Sequence, residues 1–366
     1  MRHAPERFSA AGRISRRRLL AGVPAAVLSL SVPMAVRRAW AIEEVMPKHI
    51  NADTLKAVRA GLDYLARTQQ DDGSWSTDDG GQAYPVAITG LAGTALLAGG
   101  NTPTRGRYAQ QVEKAVRYLL NCSTESGLIT GPTQESGRPM HGHGFALMFL
   151  ALAYGAESNP AMRERTKRVI DKAVELTAQG QSADGGWTYT PGAGDEGSVT
   201  VTQVQALRAA HNAGLGVPRG TIAQAVQYIE KCSTPEGGIC YSLRSRTGPR
   251  LPISAAAVAT LYNAGQYDAP VANRCLEYVW QHFEDGNAAR RGGHDFYCHL
   301  YASQAFYMAG DKYWDVYFPA ARDRFIEQQN KSEGYWQGDG IGKAYGTAIA
   351  CIILQLPYKY LPVYQR

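Results

Sequence analysis

A short turn-like pattern recurs along this 366-residue chain and limits what it can fold into. It reads "DDGSW" ending at Trp75, "ADGGW" ending at Trp187 and "SEGYW" ending at Trp336. Weaker copies are "STESGLI" (123–129) and "STPEGGI" (233–239), and a sixth unit shows only "RRGGHD" (290–295). Five intervals between Trp75 and Trp336 average about 52 residues, a repeat-protein period. Each unit of such an array buries its apolar face only against its neighbours.

An amphipathic helix precedes each copy. Leu55, Val58, Leu62 and Leu65 form one stripe; Val112, Ala115, Val116 and Leu119 form the next; Ile222, Ala225, Val226 and Ile229 form a third. One apolar stripe with charges between means a helix with one wet face. After each copy comes a helix that is apolar all round, as in "AITGLAGTALLAG" (87–99), "FALMFLALA" (145–153) and "AIACIIL" (348–354), and such helices must be covered on both sides. Six one-sided outer helices alternating with six two-sided inner helices close into a double ring, which leaves no terminal repeat with a bare apolar face. The expected fold is all-α, a single α/α-toroid over residues 51–355, with the turns on one face. Asp71, Asp72, Asp184 and Glu333 sit beside glycine in these turns, where an acid bonds its own backbone or caps the next helix. The proline-broken tail "LPYKYLPVYQR" (356–366) reads as a strap over the outer wall.

Arg59-Ala60, Tyr64-Leu65, Gln69 or Gln70, Gly73 and Trp75 resemble the QW motif of squalene and oxidosqualene cyclases. Gln181, Gly185 and Trp187 match its second half, as do Phe325-Ile326, Gln329, Gly334 and Trp336. Repeats two and four keep Lys114-Ala115 with Tyr118-Leu119 and Ala225 with Tyr228-Ile229, but lack the Gln and Trp. The resemblance is to the superfamily of terpenoid cyclases and protein prenyltransferase β subunits, and it implies an α/α-toroid in which the three tryptophans are structural staples. The chemistry of that superfamily transfers less well. The D-x-D-D acid run of squalene cyclases is absent, and Asp78-Asp79-Gly80-Gly81 lacks its spacing. Those cyclases also carry a second toroid-like domain, for which this length leaves no room. "DFYCHLYASQAFYMAG" (295–310) resembles the second zinc-ligand segment of the prenyltransferases, but Cys298 stands in the place of the His and His299 is displaced by one residue. The preceding inner helix, "RLPISAAAVATLYNAG" (250–265), offers neither the Asp nor the Cys of that site.

The first 41 residues read as a leader to be removed. A basic start with Arg16-Arg17-Arg18 runs into an apolar stretch from Leu19 to about Leu30 and then Ala39-Trp40-Ala41, the layout of a twin-arginine export signal. The apolar stretch is too short to span a bilayer. The segment holds eight arginines and one glutamate, so +7 of the chain's +6 lies there and the rest is near −1. A near-neutral mature chain has no case for a nucleic-acid partner. The expected location is periplasmic or secreted. The six cysteines show no C-x-x-C pair and are expected as free thiols. No P-loop, GxSxG, HExxH or dinucleotide fingerprint is present.

Aligned on their closing glycines, the inner helices place His143 level with Cys298, and His299 level with Gln203, Ser254 and Thr347. These residues, with Asp295, Tyr297 and Lys343, are the candidates for a polar ring at the mouth of a central cavity. The ring acts as acid and base, or orients a ligand, or consists of hydrogen-bonded wall residues; Cys298 and His299 are the metal candidates, and neither a metal nor another cofactor is expected. "AARRGG" (288–293) and Lys343 lie on the turn side, as an anion site or as a solvated basic loop. The leading expectation is an exported toroid that binds a hydrophobic, isoprenoid-like small molecule. The alternatives are a non-catalytic binding or scaffold protein using the turn face, and an α/α-barrel carbohydrate-active enzyme, which needs paired acids in its cleft. Whether a second subunit takes part is left open.

Overall fold

Each apolar-all-round segment forms a helix that the other helices enclose. The computed structural model describes residues 46–77, 83–131, 135–284 and 294–366; the expected leader, Asp78-Asp79 and the Arg290-Arg291 loop lie outside them. Among the described residues, twelve α-helices follow in alternation. The outer ones are α1 (Ala52–Thr68), α3 (Ala109–Asn121), α5 (Pro160–Gln179), α7 (Arg219–Cys232), α9 (Pro270–Glu284) and α11 (Asp311–Gln328). The inner ones are α2 (Pro85–Ala98), α4 (Met140–Ala156), α6 (Gly197–Asn212), α8 (Leu251–Asn263), α10 (Asp295–Ala309) and α12 (Lys343–Gln355). Every inner helix packs on the next, and α12 packs back on α2, so the ring is closed. All 14 residues of α2 are buried, whereas α1 buries one face through Ala57, Val58, Leu62 and Leu65. Leu55, counted in that stripe from sequence, lies at its edge and is exposed. Among the described residues the extended structure is limited to isolated bridges such as Ser123 with Ile129, and no helix is long and apolar enough to cross a membrane.

The repeated turn holds the ring together through three parts. The indole N–H of Trp75, Trp187 and Trp336 donates to Leu65 O, Thr177 O and Phe325 O, at 2.9, 2.8 and 2.6 Å. This satisfies carbonyls near the end of the outer helix, which have no partner within it. The backbone N–H of the same tryptophans donates to Thr89, Thr200 and Thr347 Oγ1 on the following inner helix. The side chains of Gln69, Gln181 and Gln329 then reach the next outer helix, at Gln111 O, Thr221 O and Ala57 O. The last of these joins the final turn to the first helix. Gly334 makes the same junction by contact: its φ is +85°, and a Cβ there would lie 2.6 Å from Ala60 O. The aspartates are punctuation, as Asp72 Oδ1 accepts from Ser74 N at 2.9 Å.

The C-terminal segment differs from expectation. It crosses the base of the ring, where the inner helices end, instead of the outer wall. Tyr360 lies against Gly100, the short turn at Pro362–Tyr364 packs on α6, and Arg366 stacks on Tyr267 between α8 and α9. Val363 and Tyr364 are buried, so the segment supplies the apolar cover that the exposed ends of the inner helices need. All six cysteines are free thiols.

Trp336 is fully buried and carries one hydrogen bond to each helix layer. Trp336→Ala should cost on the order of 3 to 5 kcal/mol of unfolding free energy, read by urea denaturation. Unchanged stability would remove the staple role.

Candidate ligand cavity

The bore opens among the turns into a cavity of about 1100 Å³. Its deeper wall is apolar, from Ile88 and Leu91 on α2, Phe145 on α4, Ile253 on α8, Leu300 on α10 and Ile349 on α12. Its rim is polar and aromatic, with Arg138, His141, Tyr189, Tyr241, Arg250, Tyr278, His282 and His294. Among the described residues no Asp or Glu lines it.

The acids near the rim are used elsewhere, and this sets its charge. Glu135 accepts from Val86 N and Ala87 N at the start of α2, at 2.9 and 3.0 Å. Glu196 accepts from Ser198 N and Val199 N at the start of α6, and Asp339 from Phe296 N and Tyr297 N at the start of α10. Each carboxylate thereby meets the positive end of a helix dipole. Burial raises the pKa of Glu135 against the pull of these N–H groups. The alternate helices begin with cations. Arg138 lies two residues before α4, Arg250 is the N-cap of α8, and Lys343 is the first residue of α12. The three cations sit over Tyr189, Tyr241 and Tyr335, at 5.0, 4.7 and 4.6 Å from the ring centres. The Tyr189 and Tyr241 hydroxyls are 2.5 Å apart and bridge the two arginine platforms. Neither Arg138 nor Arg250 pairs with a carboxylate among the described residues.

The residues singled out from sequence are not brought together as one ring. His143, Ser254 and Thr347 all turn toward the outer layer and hold equivalent turns: Ile129 N donates to His143 Nδ1 at 3.1 Å, Ile239 N to Ser254 Oγ at 2.9 Å and Trp336 N to Thr347 Oγ1 at 3.0 Å. The level of a residue on its helix says nothing about which face its side chain takes, and near the start of each of these helices a backbone N–H of the turn needs an acceptor. Gln203 is buried between α4 and α6 and donates to Met140 O at 2.7 Å. His299 faces α11, with Nδ1 at 2.8 Å from Tyr317 Oη and Nε2 accepting from Arg324 at 2.7 Å. Asp295 pairs with the same guanidinium. Arg324 therefore fills the place a zinc ion would need between Asp295 and His299, so these residues do not fit a metal. Tyr297 and Cys298 line the cavity, Lys343 stands at the start of α12, and burial pushes the Cys298 thiol up.

Arg138, His141 and Arg250 were not among the sequence candidates. The signal for the arginines was a cation placed at the start of alternate inner helices. For His141 it was helical spacing: two residues from His143 is about 200° of turn, so with His143 facing outward His141 faces the bore. Its Nε2 lies 3.1 Å from Ser198 Oγ.

Burial lowers the pKa of His143 to about 4, and burial together with Arg324 lowers that of His299 to about 3. Both lie below the unfolded value near 6.5. The unfolded chain then binds more protons in this window, so stability is full above about pH 6.5 and is lost as pH falls toward the folded values. At pH 5 the loss should be on the order of 2 kcal/mol per histidine. His143→Thr, which keeps a hydroxyl acceptor, should flatten the pH dependence of urea unfolding between pH 7.5 and 5. An unchanged slope would contradict the assignment.

No family model matches the chain. Over 194 residues, 53% of its length, it is 25% identical to drimenyl diphosphate synthase of Streptomyces showdoensis. The match covers 34% of that synthase, so the chain spans about a third of its relative. Among solved structures, protein geranylgeranyltransferase-I of Candida albicans complexed with GGPP superposes with a TM-score of 0.52 at 12% identity, over 84% of this chain and 92% of that one. An α-1,6-mannanase of Salegentibacter sp. HEL1_6 superposes with a TM-score of 0.57 at 9% identity, over 82% and 97%. At these identities the two structures speak for the fold alone. The sequence likeness and the closed helical ring together support a terpenoid cyclase/prenyltransferase-like superfamily for this chain.

Proposed function

We propose that this protein binds, in its central cavity, an amphiphile with an isoprenoid-like hydrocarbon tail and an anionic head. The carrying observation is the pair of guanidinium groups, Arg138 and Arg250, which lack a carboxylate partner among the described residues at the rim of an apolar well. A cation unpaired by protein, beside apolar wall and tyrosine faces, favours a ligand that brings both a charge and a tail. A relative named for a diphosphate agrees with an anionic head. Read with the leader at residues 1–41, the ligand is met outside the cytoplasm. The reading requires no reaction, and the chain then acts as a binding protein. It assigns no metal or other cofactor, nucleic acid or second subunit.

The mannanase likeness favours a second reading, a carbohydrate-active enzyme on the same barrel. Glycoside hydrolysis needs two carboxylates at the scissile bond. Here the rim acids Glu135, Glu196 and Asp339 are committed to helix starts.

Calorimetry with farnesyl phosphate and with farnesol separates the parts of the proposal. Replacing Arg138 and Arg250 together by Ala should weaken farnesyl phosphate about 100-fold, about tenfold for each lost charge-assisted contact. Farnesol should bind both forms equally. Equal loss for the two ligands would remove the anion role, and binding of mannose oligosaccharides in place of either would favour the sugar reading.

A further inference from the structure

Five inner helices present two or more side chains to the cavity, but α6, among the described residues, presents Ser198 alone. The inward face of α6 is covered from across the bore. Tyr297, in the first turn of α10, donates its hydroxyl to the Ser198 carbonyl at 3.2 Å. Seven residues further along both helices, Gln205 Nε2 donates to Gln304 Oε1 at 2.5 Å. Between these levels Tyr301 is fully buried, its ring edge-on to that of Tyr297 with centres 4.8 Å apart. The helices α6 and α10 are not neighbours in the ring, because α8 lies between them and packs on both. These bonds are therefore chords. A chord between second neighbours leaves α8 alone on one arc and α12, α2 and α4 on the other.

Ile88, Leu91, Phe145 and Ile349 line the wide arc, while the α8 side carries Leu251, Pro252 and Ile253 together with Tyr278 and His282 from α9. From this geometry we infer that Tyr297 is a partition setting the length of hydrocarbon the cavity accepts, by confining the tail to the compartment of α12, α2 and α4. The inference rests on the amphiphile reading. The ring is held at two points, the hydroxyl bond to Ser198 and the edge contact with Tyr301, and the backbone N–H beneath it donates to Asp339 at 3.0 Å. A tail cannot displace the ring by one rotamer change without giving up both points.

A series of n-alkyl phosphates from six to twenty carbons, measured by calorimetry, reads this directly. Affinity should rise about fourfold per methylene until the compartment is full and then stay flat. Tyr297→Ala should extend the rise to longer chains by several methylenes while leaving affinity for the short members within about twofold. Tyr297→Leu, which keeps packing above Tyr301 but does not reach Ser198, should shift the plateau the same way and serves if the alanine variant does not fold. Tyr297→Phe, which keeps the ring, should hold the plateau. An unchanged plateau in the alanine or leucine variant overturns the partition and leaves the amphiphile reading standing. Failure of the parent protein to bind any chain length overturns both.

Discussion

The structure depends on one hook repeated around the ring. A tryptophan ties the outer helix to the inner one of its own repeat, and a glutamine at the same turn ties it to the outer helix of the next. The Gln329 side chain, at 2.9 Å from Ala57 O, makes this bond between the two ends of the repeat array. A helical array without that bond would expose an apolar face at each end. With it, every inner helix has a neighbour on both sides, so long apolar segments such as α2 and α12 are covered all round.

Closure also determines where charge is found. Six parallel inner helices point their N-termini, the positive ends of their dipoles, at the same face. Three of these ends are met by buried or partly buried carboxylates, and three carry a cation that rests on a tyrosine instead. The rim is consequently cationic above an apolar well. The tail of the chain crosses the opposite end of the ring.

The fold was legible because its determinants are periodic. The spacing of Trp75, Trp187 and Trp336, the one-sided helices before them and the two-sided helices after them all survive in the structure. The site was much less legible. Aligning inner helices on their closing glycines gives the level of a residue but not its azimuth. That is why His143, Ser254 and Thr347, picked out by level, serve the turn N–H groups of the outer layer. His299 departs for a different reason: Arg324, 25 residues away on α11, supplies the cation that its position and Asp295 would otherwise offer to a metal. The arginines at the rim stand at or just before the helix starts, where a reading centred on helix interiors gives them no weight. The tail was misplaced because proline and tyrosine content marks an irregular strap without saying which surface lacks cover.

The account's central claim is that a closed toroid presents a cationic rim to a partitioned apolar well. A crystal structure of the protein with farnesyl phosphate tests it most directly. The account predicts the phosphate between Arg138 and Arg250, with the tail running down past Leu91, Phe145 and Ile349 on the wide side of Tyr297. A phosphate bound away from both arginines, or a tail lying on the outer surface of the ring, would contradict it.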